Sequence, residues 1–476
     1  MIQETRIARL LLMSLFTAQV AFATPPALPE FPPLNFKPAK PVRHVLDNGL
    51  VIFLLEDHEL PLIKLHMYFQ AGSQYDPPTK IGLGAIFGEA MTDGGSLSHS
   101  PEEIEKELDR RAASIGFTIG LENGEGSMSC RKEDFDAVFT LFSDLTLHPQ
   151  FQKDKFELAK GKSMEGLRRL NDDPEEVARR ELRRVIYGPH HPYARIPTPA
   201  MIKNIKRDDL IEAHKRFFRP NASWIAVSGD FQSADMLATL KKAFGSWAKS
   251  EVSWPAVEAP VPPKEQRVFY IQRQVNQSQI RIGDVGLARH SPDHFAWEVF
   301  NELWGGSATS RLFRVVRTQL GLAYGVGSGY SEPALPGIVV AISQTRGSQT
   351  IAAAQAILKI DKELRNAPFT DTEISNAKEA IRNRFVENFT SSAEIASYVV
   401  NLEYFGFPAD YLETYTQHTA QVTAEDLRRV GNTYMHPERS TILLLGDLST
   451  FDKPVSTLGR PQEIKVVDYA DDHDAD

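Results

Sequence analysis

The chain has 476 residues, 42% hydrophobic and 24% charged. That is the profile of a globular protein, and the length is too great for one ordinary core and suits two domains of roughly 200 residues each. A net charge of −9 excludes a general nucleic-acid binder, which needs a basic face against phosphate. Cys130 is the single cysteine, so no intrachain disulfide forms and stability rests on packed cores.

In chain order, Arg6 and Arg9 precede an apolar run from Leu10 to Phe22, which ends in Ala21-Phe22-Ala23. A charged start, a short apolar stretch and a small-x-small site read as a cleavable secretory leader over residues 1–23. The run is too short for a comfortable bilayer span. It implies a periplasmic or secreted chain with no stable membrane span after cleavage. A Pro-rich lead-in covers 24–41.

Strand-like stretches come next. His44–Leu55 carries the turn Asp47-Asn48-Gly49 between apolar residues, a hairpin signal, and Leu62–Gln70 alternates. Helical patterning then takes over from Ile81 to Met91. Ser100-Pro101-Glu102-Glu103 opens a helix expected to run to about Ser114. Residues 152–186 read as long helices broken near Asn171-Asp172-Asp173-Pro174.

A second Pro-rich stretch, Trp254-Pro255 through Pro263, sits near the middle of the chain and reads as a linker. Its position suggests two similar halves. Residues 209–231 align without gaps onto 426–448, with seven of 23 positions identical. The pairs are Asp209/Asp426, Leu210/Leu427, Pro220/Pro437, Ser223/Ser440, Ile225/Ile442, Gly229/Gly446 and Asp230/Asp447. Each copy reads as a helix, a Pro turn, an apolar strand and a Gly-Asp stop. A weaker echo links Gly94-Gly95-Ser96 with Gly305-Gly306-Ser307. The chain therefore divides into a first domain over 42–247, a linker over 248–267, a second domain over 268–458 and an acidic tail over 459–476.

This layout resembles the pitrilysin, insulinase and mitochondrial-processing-peptidase family of zinc peptidases. The marks are Leu46-Asp47-Asn48-Gly49-Leu50, Ala71-Gly72-Ser73, the helix Gly82–Met91 with Gly94-Gly95 after it, Phe218-Arg219-Pro220-Asn221, Ser310-Arg311-Leu312-Phe313 and Gly321-Leu322-Ala323-Tyr324. The resemblance implies an α+β fold of two homologous tandem domains. Each is a mostly antiparallel sheet covered by helices, and the two face each other like a clamshell.

Active family members carry H-x-x-E-H on the first helix. Two His at i and i+4 share a helical face and both reach zinc, while the Glu takes a proton from the metal-bound water. The matching stretch here is Ile86-Phe87-Gly88-Glu89-Ala90. Glu89 keeps the base position, but Ile86 and Ala90 offer no lone pair. Glu165 falls near the third ligand position. One or two carboxylates make a poor zinc site, so this chain is expected to hold no metal and Glu89 to be solvated or paired with a basic neighbour. His190-His191 are adjacent and diverge; His290, His294 and Glu298 share i, i+4, i+8 spacing but Pro292 interrupts it. These are read as structural residues.

The second half keeps Arg317 and Tyr324, seven residues apart. The resemblance implies that this pair reaches across to the zinc half. Its chemistry suits peptide hydrolysis, since a guanidinium forks onto a carbonyl or carboxylate and a phenol donates to an oxyanion. Some bacterial members divide the labour between a zinc-bearing chain and a degenerate partner that keeps the Arg and Tyr. The resemblance thus implies a substrate-positioning subunit of a two-chain periplasmic metallopeptidase, inactive alone, with zinc in the partner and peptide as substrate. The alternatives are a peptide-binding scaffold without hydrolysis and a self-sufficient peptidase with an atypical metal site.

Overall fold

The computed structural model describes residues 36–365 and 369–469. The expected leader, most of the Pro-rich lead-in and the last seven residues of the acidic tail lie outside them. The first half builds a six-stranded sheet from β1 (Val42–Val45), β2 (Val51–Glu56), β3 (Leu62–Phe69), β4 (Ser114–Ile119), β5 (Gly124–Arg131) and β6 (Ser223–Gly229). The second half builds another from β7 (Arg267–Gln272), β8 (Ser278–Val285), β9 (Gly325–Tyr330), β10 (Ile338–Thr345), β11 (Thr441–Gly446) and β12 (Pro461–Glu463). The strand orders are β1-β2-β6-β3-β5-β4 and β12-β7-β11-β8-β10-β9.

The duplication read from residues 209–231 and 426–448 has a physical counterpart. It covers β6 and β11, which hold the same place in the two sheets. Each pairs parallel with the first long strand of its half and antiparallel with the second: β6 with β2 and β3, β11 with β7 and β8. The sixth strand breaks the symmetry. β1 arrives from the N-terminal side and runs antiparallel to β2, whereas β12 arrives from the C-terminal side and runs parallel to β7. The expected tail at 459–476 therefore begins as structure. Pro461–Glu463 extends the sheet, and Ile464 and Val466 pack on a core cluster because they are apolar.

The local signals hold with small shifts. Val45 pairs with Val51 across the predicted turn. Asn48 fastens that turn, its amide donating to the Phe244 and Trp247 carbonyls at 2.7 and 3.1 Å. Gly49 has a φ of 92°, and an added Cβ would lie 2.9 Å from Asn221 Cβ, so two of the family marks meet as a packing contact. The Ser100 helix carries a full capping box with Glu103 but stops at Arg111 rather than near Ser114, because Ala112 turns left-handed and Ser114 is already in β4. Asp173 caps the Pro174–Tyr187 helix by accepting from Glu175 N at 2.8 Å. The Pro-rich linker has no regular structure between residues 247 and 263. It is nonetheless pinned, with Trp254 stacked on Phe217 at 5.2 Å and donating to Gln70 at 3.1 Å.

The halves interlock by exchanging helices. The Pro174–Tyr187 helix belongs in sequence to the first half but packs on β8 and β11. Its Val177, Ala178, Leu182 and Ile186 join Ile271, Leu443 and Leu445 in one buried cluster. The Ser392–Tyr404 helix does the converse, setting Ala396 and Val400 on Val51, Phe53, Leu55 and Ala226 of the first sheet. This explains why β2 reads as an unbroken apolar run, Val-Ile-Phe-Leu-Leu. Ile52 and Leu54 face the main core of the first half, while Val51, Phe53 and Leu55 face the visiting helix.

The packing sets two expectations for stability. Leu182 is 3% exposed, so Leu182→Ala is expected to cost about 2–5 kcal/mol. Calorimetry should show one transition shifting as a whole, because the helix joins both halves; independent halves would leave one of two peaks unmoved. Asp361 is buried and, among the described residues, its carboxylate accepts only from Trp304 Nε1, at 2.8 Å; burial pushes its pKa up to about 7. The folded state therefore prefers the protonated acid. Stability is full below about pH 4 and is lost as pH rises through 7. Asp361→Asn should raise the melting temperature at pH 8 and leave it nearly unchanged at pH 4.

Candidate functional site

The helix that corresponds to the zinc motif is Leu83–Asp93. Its start is fixed by Asp76, whose carboxylate accepts from Gly82 N at 2.9 Å and Gly84 N at 3.0 Å. Burial raises the Asp76 pKa to about 6 against the pull of those two donors. Gly88 lets the helix lie close to β4, where an added Cβ would sit 3.2 Å from Ile119 N.

Ile86 and Ala90 project from one face of this helix, and both are buried, at 0% and 1% exposed. They belong to the main core of the first half, with Phe87, Met91 and Phe117. The positions that hold imidazoles in active relatives are thus hydrophobic packing positions here. Glu89 faces out beside them and forms an ion pair with Lys162, whose ammonium also lies 3.5 Å from Asp93. The Glu89 hydrogen bond raises the Lys162 pKa. Glu165 accepts from Arg169 at 2.8 Å, with Arg168 at 3.5 Å. The vestigial base and the vestigial third ligand therefore have separate cationic partners.

This donor set does not fit zinc. Two ligand positions are hydrocarbon, and a fixed ammonium faces the remaining carboxylate. Among the described residues no group of three or more His, Cys, Asp or Glu is placed to hold a metal ion. Three of the other histidines singled out in the sequence have structural partners. His290 contacts the Phe405 carbonyl at 2.9 Å, His294 contacts Glu332 at 2.7 Å and His191 contacts the Glu258 carbonyl at 2.9 Å. His294 opens its helix two residues after Pro292, which leaves His290 outside it. Cys130 is buried, and burial pushes its thiol up to about 11, away from nucleophilic use.

Arg317 and Tyr324 are set in an unusual turn. Phe313–Gln319 is a π-helix, a conformation that is rare and concentrates at functional sites. Leu320 N donates to the Val315 carbonyl and Leu322 N to the Val316 carbonyl, both at 2.9 Å. Gly321, with φ of 62°, reverses the chain toward β9. Arg317 stacks its guanidinium 4.6 Å from the Phe313 ring centroid, and Tyr324 is 72% exposed. Among the described residues neither the guanidinium nor the phenol has a hydrogen-bond or ion-pair partner, so both face solvent with their donors free.

Lys162 was not legible as part of this site. The signal for it was a cation three residues before Glu165, on a helix that packs against the motif helix.

Fold and site together define a tandem-duplicated peptidase scaffold whose metal ligands are gone. The chain belongs to the pitrilysin and insulinase peptidases, family M16, as an inactive-type member that lacks both zinc histidines. Residues 51–195 match the model described as insulinase, peptidase family M16, and 204–381 match the M16 inactive domain. The chain is 23% identical over 351 residues to the uncharacterized zinc protease YmxG of Bacillus subtilis, covering 74% of this chain and 85% of the relative. It is 22% identical over 376 residues to the non-peptidase homolog YmxG of Helicobacter pylori, covering 78% and 86%. The peptidase M16 inactive domain structure from Pseudomonas fluorescens superposes with a TM-score of 0.78 at 22% identity, covering 86% of this chain and 98% of that one.

Reinstating one ligand should not reinstate a site. Ile86→His places an imidazole in a fully buried apolar position, which is expected to cost about 1–3 kcal/mol. The variant should melt lower and, by elemental analysis after dialysis against zinc, carry no stoichiometric metal.

Proposed function

We propose that this chain is the non-catalytic, substrate-positioning subunit of a two-chain zinc metallopeptidase that works outside the cytoplasm. A homologous partner supplies the metal and the base, and this chain supplies Arg317 and Tyr324. The observation that carries the reading is the contrast between two sites in one molecule. At the first, buried Ile86 and Ala90 leave no ligands for a metal. At the second, an arginine and a tyrosine are held on a π-turn with unspent donors.

In this reading Arg317 holds a substrate carbonyl or carboxylate and Tyr324 donates to the oxyanion as it forms. β9 is an edge strand, so an extended peptide has a free row of backbone groups to pair with just after Tyr324. The basic and apolar start of the chain, residues 1–23, supports export. Among the described residues no helix is long and apolar enough to cross a membrane. The non-peptidase name of the Helicobacter relative supports a family member that does not cut peptides by itself.

The test is reconstitution. The chain alone is expected to cleave no peptide. With a homologue bearing intact H-x-x-E-H it should support hydrolysis, and Arg317→Ala and Tyr324→Phe should each lower kcat/KM roughly 10- to 1000-fold. Equal activity of wild type and Arg317→Ala with such a partner would end the shared-site reading. Peptide retention with no hydrolysis beside any partner would favour a scaffold instead.

A further inference from the structure

A cavity of about 580 Å³ lies on the second sheet, between the exchanged Pro174–Tyr187 helix and the edge strand β9. The volume falls within the range of about 300–1,000 Å³ typical of ligand sites. Its floor is the face of β10 that carries Ile338, Val340 and Ile342. The helix covers β8 and β11 but leaves this strip open, and Val340 and Ile342 are only partly buried. β9 runs beside it with glycine at three alternate positions. Gly325, Gly327 and Gly329 pair with Gln344, Ile342 and Val340. An added Cβ at Gly325 or Gly329 would meet nothing within 4 Å. Gly329 lines the cavity and leaves the strand backbone bare there, whereas Gly327 lies against the Gly305 carbonyl.

The helix side is charged and out of balance. Arg179, Arg183 and Arg281 line the cavity with Glu175. Arg281, with its side chain 4% exposed, is satisfied by Glu175 at 3.1 Å, and Arg179 turns to Glu176. Arg183 has no such partner. It donates to the Tyr193 carbonyl and, among the described residues, forms no ion pair. Burial and the neighbouring charge of Arg179 lower its pKa, and the same neighbour acts on Arg281. A partly desolvated guanidinium beside a second one is a standing demand for an anion. Another wall makes the opposite demand, since Glu332 lines the same cavity and, although one of its oxygens contacts His294 at 2.7 Å, its Oε1 is buried without a hydrogen-bond partner among the described residues. A bare anion such as phosphate answers only the first demand. A peptide answers both, with a carboxylate for Arg183 and a backbone N–H for Glu332.

We propose that this groove binds an extended peptide segment carrying an acidic side chain, with the carboxylate at Arg183 and Arg179 and flanking apolar side chains on Val340 and Ile342. β9 begins one residue after Tyr324 and carries Gly329 into the groove, so the inference deepens the substrate-positioning reading by giving the substrate its chemistry. It predicts selection for acidic residues.

The test uses the full chain alone, which separates it from the partner-dependent activity. Fluorescence anisotropy compares a labelled Val-Asp-Val-Glu-Val peptide, blocked at both ends, with its Asn/Gln counterpart. The acidic peptide should bind roughly tenfold or more tightly, a difference that shrinks with salt. Arg183→Gln should erase the preference, and Arg179→Gln, at a half-exposed position, should reduce it without unfolding the chain. Gly329→Val, which fills the groove without strain, should weaken both peptides. Equal affinity for the two peptides, no binding of either, or a preference untouched in both arginine variants would overturn the proposal. Persistence of the preference in Arg317→Ala would leave it standing even if hydrolysis with a partner failed.

Discussion

The exchange of one helix between the halves governs the rest of this structure. Each sheet has a core face covered by its own half's helices and a second face that must also be covered. The second cover comes from the other half. The arrangement fixes the two sheets relative to each other without a disulfide. A partly buried carboxylate reinforces it. Glu122, in the β4–β5 turn of the first half, accepts from Arg289 and from Ala334 N, while its backbone carbonyl accepts from the Tyr404 hydroxyl. Three contacts from the second half thus converge on one residue of the first. Breaking such a pair leaves an uncompensated buried charge, which costs more than the pair itself contributes.

That interlock explains how the chain tolerates the loss of its metal. Zinc contributes folding free energy outright where it is structural, but a catalytic zinc sits on a scaffold that folds for other reasons. Here the ligand positions have joined the scaffold. Fully burying an isoleucine side chain contributes about 1.5–3 kcal/mol. The Glu89–Lys162 pair, with both side chains more than a third exposed, contributes at most about 1 kcal/mol. Packing therefore wins over charge at this helix, and Glu89 is retained at little cost or gain. The consequence for chemistry is the reverse. With an ammonium held against it and hydrocarbon at both neighbouring ligand positions, Glu89 lacks the surroundings of the family's base.

The sequence made the framework legible for specific reasons. The Asp47-Asn48-Gly49 turn, the Ser100 capping box and the Asp173-Pro174 restart are local codes, and local geometry decides them. The repeat exposed β6 and β11 because both copies must supply a central apolar strand followed by a Gly-Asp stop. The features that stayed hidden were long-range. No local pattern says that the Pro174–Tyr187 helix lies on the other half's sheet, although its apolar stripe says that it lies on something. The strand at Pro461–Glu463 was masked by acidic residues around it, because a short edge strand needs few apolar side chains of its own. Lys162 and the arginines on the exchanged helix were hidden for the same reason, since a charge acquires meaning only from the groups that the fold places opposite it.

The exchange also decides where the chain's free charge ends up. Arg179 and Arg183 are first-half residues in sequence, yet the helix carries them over the second sheet, where they line one cavity with Arg281 of β8 and Gly329 of β9. A cavity with that charge cannot form within either half alone. Gln344 of β10 links the cavity's charged wall to the π-turn that holds Arg317 and Tyr324, its carbonyl accepting from Tyr324 N and its side-chain amide donating to Glu175. The same hydrogen-bonded run touches the helix, the groove floor and the turn. The polar chemistry this chain retains is thus gathered on the second sheet, while the first sheet's motif helix has become core. On the proposed reading, in which the chain holds peptide for a partner, that division has a use, because a rigid first half whose ligand positions are hydrocarbon positions the half proposed to bind.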